Sequence, residues 1–512
     1  MFGFRPRPSA GAVAALSVFT AVSVGAAERS QKSEPLQAYP GQQYESLIQP
    51  ENGVPLNPHH SANAADRLRY WNQVAVDSSG LDHTPVAPGE SRLFGHQLGP
   101  GRSARAMAIV HIAMADSVAS IKGGFKRYTP IPNAPAGASV DTAIATAASA
   151  TLIAMFPSHK PRLLELYAAD LVDAPGTVQE KAKGVLVGTL ASAAILALRH
   201  NDGSNHPEDV MNTDYIPGDG PGEWRQDPIS QSPVALGSHW ADVKPFVLAS
   251  AAQFRLPPPP VLGSAAYATA FNEVKALGGD GVNTPTSRTA DQTQAGIYWA
   301  YDGTPSLCAP PRLYNQVATK LTENETSVVK LARMYALVNL AMADAGIASW
   351  ESKFFYKFWR PVTAIREADP GTGPMGGGDG NPATIGDVDF HPLGAPASNL
   401  TGPNFTPPFP AYPSGHATFG GTLFQVMRRI LGTDNVTFTF TSDEYNGTTV
   451  GNDGEVRPLL PRTFTKLSQA EEENGQSRIY LGIHWSFDKT EGIKQGRQVA
   501  NYVVDRAFKP TN

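Results

Sequence analysis

Apolar residues recur at three- and four-residue spacing through five long segments of the chain, 105–121, 139–156, 183–200, 265–278 and 326–359. That period places them on one face of a helix, so each segment predicts an α-helix. Alanine is abundant among these residues, which predicts helices packed closely against each other. Between them lie long Gly- and Pro-rich breaks at 201–236, 255–261, 279–295 and 370–413. Alternation with period two occurs in VTFTFTS, 436–442, the best strand candidate. There is no recurring strand–helix alternation, so the pattern predicts a mainly α fold with few short strands and argues against a parallel sheet.

The N-terminus departs from this pattern. Arg5 and Arg7 precede an apolar run from about Ala10 to Val24, and small residues Gly25, Ala26 and Ala27 precede Glu28. This order predicts a secretory signal peptide over 1–27 and an exported protein. The run is shorter than the ~20 apolar residues of a membrane span and is interrupted by Ser and Thr, which disfavours an anchor. No other membrane-spanning segment is expected. Helical regions are expected over 28–300 and over 301–512.

Composition narrows the function classes. With 41 Lys+Arg against 46 Asp+Glu, the formal charge of −5 gives no reason to expect a nucleic-acid surface. The single cysteine, Cys308, excludes an intrachain disulfide and lies in a Pro-rich loop, where a structural role is expected. GTGPMG at 371–376 matches a dinucleotide fingerprint only in letters. No strand precedes it and Pro374 interrupts it. The LPPPP run at 256–260 is expected to be a stiff connector.

Three clusters carry candidate chemistry. In KFFYKFWRP, Lys353 and Arg360 are seven positions apart, nearly two helical turns, so one helix would project them from the same face. Phe354, Phe355, Tyr356, Phe358 and Trp359 leave little polar face around them, and cations held among aromatics need an anion nearby. In PFPAYPSGHATFGG, an apolar stripe begins after Ser414-Gly415-His416, placing these three at a helix N-terminus. There, unpaired N–H groups and a partial positive charge receive anions, and Gly415 lets an oxyanion approach the backbone. In SRIYLGIHWSFD, His484 and Asp488 are four apart, so Asp488 can hold one imidazole nitrogen and leave the other free. Arg478 would lie ~120° away on a straight helix. Either its long side chain reaches round or the chain bends near Gly482. Together these groups suit a tetrahedral or trigonal-bipyramidal oxyanion. A plain oxyanion-binding protein would not need the His484–Asp488 pair.

In this order, K-x6-R-P, P-S-G-H and S-R-x3-G-x-H-x3-D resemble the signature segments shared by type 2 phosphatidic acid phosphatases and vanadium-dependent haloperoxidases. The resemblance implies a helical-bundle fold with the anion site between helices, carried by 301–512. In a phosphatase, His484 would attack phosphorus and His416 would protonate the leaving group. In a haloperoxidase, His484 would bind the vanadium of a vanadate cofactor. Lys353, Arg360, Ser414, Gly415 and Arg478 would hydrogen-bond the vanadate oxygens, and His416 would act as acid–base toward hydrogen peroxide. The flanks MADAGIASWESKFFYKFWRPV and PRTFTKL are similar to vanadium chloroperoxidases, and the long N-terminal region with 218–240 resembles the larger haloperoxidases; both favour the second reading. YWAYDGTPSLCAPPRLYNQVA, 298–318, resembles the segment supplying an acidic partner, here Asp302, to Arg478 or Lys353. Trp350 and Phe409 match aromatic positions beside the halide in chloroperoxidases, so chloride is the expected substrate, with bromide also accepted and a small organic acceptor halogenated.

Overall fold

The computed structural model describes residue 39, residues 41–48 and residues 63–511. The N-terminal pattern read as a signal peptide lies outside the described residues. Among them the chain is mainly helical. The first helices are α1 (Ala64–Asp82), α2 (Gly99–Lys122), α3 (Val140–Met155), α4 (Lys160–Asp173) and α5 (Val178–Arg199). Next come α6 (Ala265–Gly278), α7 (Ala290–Tyr298), α8 (Pro310–Leu321) and the long α9 (Val328–Tyr356). A short α10 (Pro361–Arg366), then α11 (Gly415–Leu431), α12 (Leu467–Tyr480) and α13 (Ser486–Val504), complete the chain. Two antiparallel pairs, β1 (Asp209–Val210) with β2 (Val234–Ala235) and β3 (Phe438–Phe440) with β4 (Arg462–Phe464), are the only sheets among the described residues. The strand expected over 436–442 shrinks to its middle three residues.

Local sequence explains where helices begin. Ser139, Ser264, Ser327 and Ser414 each accept a backbone N–H as N-caps, and Thr177 with Glu180 and Thr289 with Gln292 form capping boxes. Small residues explain how closely the helices meet. A Cβ on Gly496 of α13 would lie 2.1 Å from the Thr418 carbonyl oxygen, and one on Gly492 2.9 Å from that of Ser414. These two glycines let α13 press on the N-terminal turn of α11, and the Ser414 N–H donates to the Asp488 carbonyl at 3.1 Å. Two sequence clusters are joined by this contact.

Helix α9 organises the rest. It packs against α2 on one side and against α11 and α13 on the other. One hydrophobic core therefore runs from Trp71 and Ile109 through Leu337 to Phe424 and Val499. Two helices, α2 and α5, have the length and hydropathy of a membrane span, but α2 is 94% buried inside the protein over that stretch. Buried core explains its apolar character.

In the middle of α9, Asp344 is fully buried and accepts the N–H groups of Phe246, Val247 and Leu248 at 2.6, 2.8 and 3.0 Å, tying that strap to the helix. Burial pushes its carboxyl up to about 6 from the ordinary 3.8. The folded state therefore takes up this proton before the unfolded chain does. Its contribution to stability is fully present below pH ~4 and is lost as pH rises to ~6. Asp344→Ala is expected to destabilise the protein by ~3 kcal/mol or more at neutral pH, because three buried N–H groups lose their acceptor. The gap to wild type should widen by a further ~2–3 kcal/mol as pH falls from 7 to 4. Denaturant titrations of both proteins across that range measure it, and a gap independent of pH would contradict the assigned shift.

Candidate active site

The proline-rich approach at 407–413 sets the geometry. Its prolines have no N–H to donate, so the segment joins no ladder; it bends at 408–409 and 412–413, with carbonyls turned toward the side chains beneath. Lys353, in the last turn of α9, sends Nζ to the carbonyls of Pro410 and Ala411 at 2.8 and 3.0 Å and also to that of Pro413. Arg360 donates Nε to Phe409 O at 2.9 Å and Nη2 to Pro407 O at 3.3 Å. Its Nη1 reaches Ile483 O and His484 Nε2, both at 2.9 Å. The single-helix expectation for this pair is corrected. Lys357 adopts φ 48°, which ends α9, and Arg360 caps α10 instead. The two cations converge because both are drawn to the same row of carbonyls.

The third segment also breaks rather than continuing. Helix α12 ends at Tyr480, Gly482 turns with φ 72°, and α13 begins at Ser486. His484 thus sits in the turn and Asp488 in the first turn of α13. The bend, one of the two alternatives left open by the sequence, lets both Arg478 and His484 face the same cavity. Asp302 takes Arg478 as its partner and not Lys353. Both its oxygens accept from Arg478 Nη2 at 2.7 Å.

Protonation follows from these contacts. His484 Nε2 accepts from Arg360, so its proton is on Nδ1, which donates to Asp488 Oδ2 at 2.7 Å. Burial, with Arg360, Lys353 and Arg478 close by, holds the His484 pKa well below its usual value, leaving a neutral ring with an Nε2 lone pair. His416 donates Nε2–H to the Ala300 carbonyl, and burial with the Arg478 charge also keeps this ring neutral. Asp488 accepts the Trp485 N–H at 3.1 Å as well, and burial pushes its carboxyl up to about 7. Burial raises Asp302 while Arg478 opposes that rise. Lys353 is pulled well below the ordinary ammonium value by burial and by Arg360, whereas the surrounding carbonyls favour its charged form.

Trp350, Phe409, Gly415 and His416 join Asp302, Arg478 and His484 in lining one cavity. Lys353, Arg360, Ser414 and Asp488 stand behind that lining and act on it through the bonds just described. The Trp350 and Phe409 rings lie 4.9 Å apart at 57°. Lys353 Nζ and the Arg360 guanidinium each lie 5.1 Å from the Phe409 ring centroid, within cation–π range.

The lining has room and donors for an anion. Arg478 Nε and Nη1 are buried without any partner. Gly415 and His416 open α11, where backbone N–H groups have no intrahelical acceptor. A Cβ on Gly415 would meet only Trp350, at 3.4 Å, and would otherwise project into the cavity. Three cations face two carboxylates, leaving an excess of 3 − 2 = +1 even when both acids are ionised. An oxyanion with a metal centre fits this donor set, since it can take the Arg478 and helix N–H groups and the His484 lone pair together.

Sequence reasoning missed groups that carry no side-chain signal. The Ala300 carbonyl fixes His416, and the Leu236 carbonyl receives Trp350 Nε1 at 3.0 Å. Gly237 packs so tightly on that indole that a Cβ would lie 2.4 Å from Nε1. Gly99, Pro100 and Leu236 also line the cavity, so the N-terminal half builds part of its wall. Cys308 is fully buried, with Sγ 3.0 Å from Ser79 Oγ and outside the cavity lining.

Comparison with known proteins follows the same lines. The chain resembles in fold a bacterial vanadium-dependent iodoperoxidase, with a TM-score of 0.69 at 21% identity over 88% of this chain and 99% of that one. A holo-type bacterial vanadium-dependent chloroperoxidase superposes with a TM-score of 0.59 at 18% identity, covering 85% and 96% of the two chains. Residues 333–512 match the family described as the VCPO second helical-bundle domain. The vanadium chloroperoxidase of Curvularia inaequalis is 30% identical over an alignment of 507 positions, spanning 82% of this chain and 78% of that protein. With this extent of identity across a site built for an oxyanion, the chain belongs to the vanadium haloperoxidase family.

Proposed function

We propose that the protein is a vanadate-dependent peroxidase that oxidises halide with hydrogen peroxide, chloride as the favoured substrate and bromide also. The observation that carries this reading is the pairing of unpartnered Arg478 N–H groups and a neutral His484, whose Nε2 lone pair now accepts from Arg360, with an apolar Trp350–Phe409 wall in one cavity. The reaction joins halide, peroxide and a proton to give hypohalous acid and water. Halide loses two electrons and the peroxide O–O bond takes them. A small organic acceptor then takes the halogen. The sequence pattern over 1–27 supports export of the protein.

Bound vanadate supplies a Lewis-acidic centre that activates peroxide toward halide. The chain's own residues do the rest. His484 Nε2 would be the metal ligand, and Asp488 fixes its tautomer through Nδ1. Arg360 now donates to that same Nε2, and would have to release it for a bound oxyanion. Arg478 would hold an oxygen with its unpartnered Nε and Nη1, while Asp302 keeps its guanidinium in place. The Gly415 N–H would meet the anion from the helix end, the Ser414 hydroxyl, now the N-cap of that helix, stands just behind it, and Lys353 and Arg360 add charge from behind Phe409. His416, neutral and oriented by Ala300, takes the proton of incoming peroxide and returns it to the departing oxygen. Trp350 and Phe409 strip water from the halide. Chloride, the more strongly hydrated and harder to oxidise, depends most on that dry wall.

Vanadium-free protein should lack peroxidase activity, regain it on adding vanadate and lose it when phosphate competes for the cationic pocket. Activity of the thoroughly vanadium-free protein would refute the reading.

His484→Ala should weaken vanadate binding by about 100-fold or more, since it removes the one protein ligand to the metal. His416→Ala should keep vanadate while kcat falls ~10²–10⁴-fold. Vanadium retention measured beside kcat separates the roles, and the reverse pattern would show that they are exchanged.

Phe409→His should lower the chloride-to-bromide ratio of kcat/KM by about tenfold, a change of ~1.4 kcal/mol in barrier difference. The new imidazole would bring water and a competing hydrogen-bond partner to the wall. An unchanged ratio, measured at several pH values, would mean that Phe409 only packs.

A further inference from the structure

A second cluster of metal-ligating side chains lies away from the vanadate cavity, where β1 and β2 meet the turn that follows β2. It consists of His206, Asp209 and His239, each offering a ligand atom within 4.8 Å of the other two. We infer that these three residues bind a divalent transition metal of the zinc type, with a solvent molecule completing a tetrahedral set.

The geometry is already close to what such an ion needs. His206 Nδ1 lies 2.9 Å from the Pro207 carbonyl. A carbonyl only accepts, so Nδ1 carries the proton and Nε2 keeps its lone pair. His239 Nε2 lies 3.0 Å from Asp209 Oδ1, and its Nδ1 lies 3.5 Å from Asp242 Oδ2. Adjacent ligands of a tetrahedral ion with bonds of ~2.0–2.1 Å stand ~3.3 Å apart, so the His239–Asp209 separation needs only a small opening. The two imidazoles stack with centroids 3.5 Å apart and planes at 26°, so their edges run side by side and can present nitrogens to one ion. Asp242 would then act as the outer carboxylate that orients His239, and the Pro207 carbonyl does the same for His206.

The supports are rigid. Arg102 donates to the carbonyl of His206 at 2.6 Å and to that of Ser204, and its charge is matched by Glu208 at 2.7 Å. Glu208 in turn accepts the Gly237 N–H at 2.5 Å. Asp209 is fixed by pairing with Ala235 across the two strands. His206 is exposed, which leaves a face open to solvent and an approach for the ion. Asp209 and Asp242 supply the negative charge a divalent cation requires. A bound ion would clamp residues 206–209 to the segment 236–242, whose Leu236 carbonyl holds Trp350. The site therefore reinforces the scaffold behind the aromatic wall without entering the cavity.

The test uses untagged, vanadate-saturated full-length protein, so that the histidines of the vanadate site are occupied. Equilibrium dialysis against micromolar zinc, followed by elemental analysis, reads zinc and vanadium per chain in one sample. One zinc per chain is expected beside one vanadium. His206→Ala and His239→Ala should each weaken zinc binding about 100-fold with vanadium retained, and Asp242→Asn should weaken it about tenfold. Absence of stoichiometric zinc in wild type overturns the inference, as does zinc retention equal to that of wild type in His206→Ala or His239→Ala. His206 is exposed, so its variant tests the site without disturbing the core.

Discussion

Three cations buried within one site are the constraint on which the rest of this structure depends. Lys353, Arg360 and Arg478 are each at most 1% exposed, and burying an unpaired charge is very costly. The fold answers in two ways. Main-chain carbonyls of the proline-rich segment solvate Lys353 and Arg360, and Asp302 and Asp488 supply opposite charge. Neither answer is complete, since Arg478 keeps two donors without partners and one positive charge remains in excess. An anion completes the site, and the Lys353 and His484 pKa values, lowered first by burial and then by the neighbouring cations, express the same cost before it arrives.

The helices are arranged around that requirement. The end of α9 carries Lys353, and the mouth of α11 supplies free N–H groups. The turn between α12 and α13 holds His484 with its lone pair inward. Gly492 and Gly496 bring α13 against α11 closely enough for Asp488 and Ser414 to meet. Because α9 also packs against α2, the N-terminal half is held to the site and contributes Leu236, Gly99 and Pro100 to the cavity wall. The metal clamp inferred at His206, Asp209 and His239 would act on that same wall from outside.

Sequence by itself determined the helical class, because periods of three and four are set by side chains alone. It also singled out polar residues that the fold brings to one site. Lys353, Arg360, Ser414, His416, Arg478, His484 and Asp488 fall in three short segments whose residue types suit an oxyanion. Their spacing was less informative. Lys353 and Arg360 look helical at seven residues apart, yet Lys357 breaks the helix and both are oriented by carbonyls of residues 407–413. The choice of Arg478 as partner for Asp302, and the Arg360 bond that fixes the His484 tautomer, link residues more than 100 positions apart. Carbonyls at Leu236 and Ala300 have the same character, since every residue owns one and nothing in its identity marks its use. Only the tertiary structure decided these, because hydrogen-bond direction and the cost of burial depend on what lies nearby in space, which the order of residues does not state.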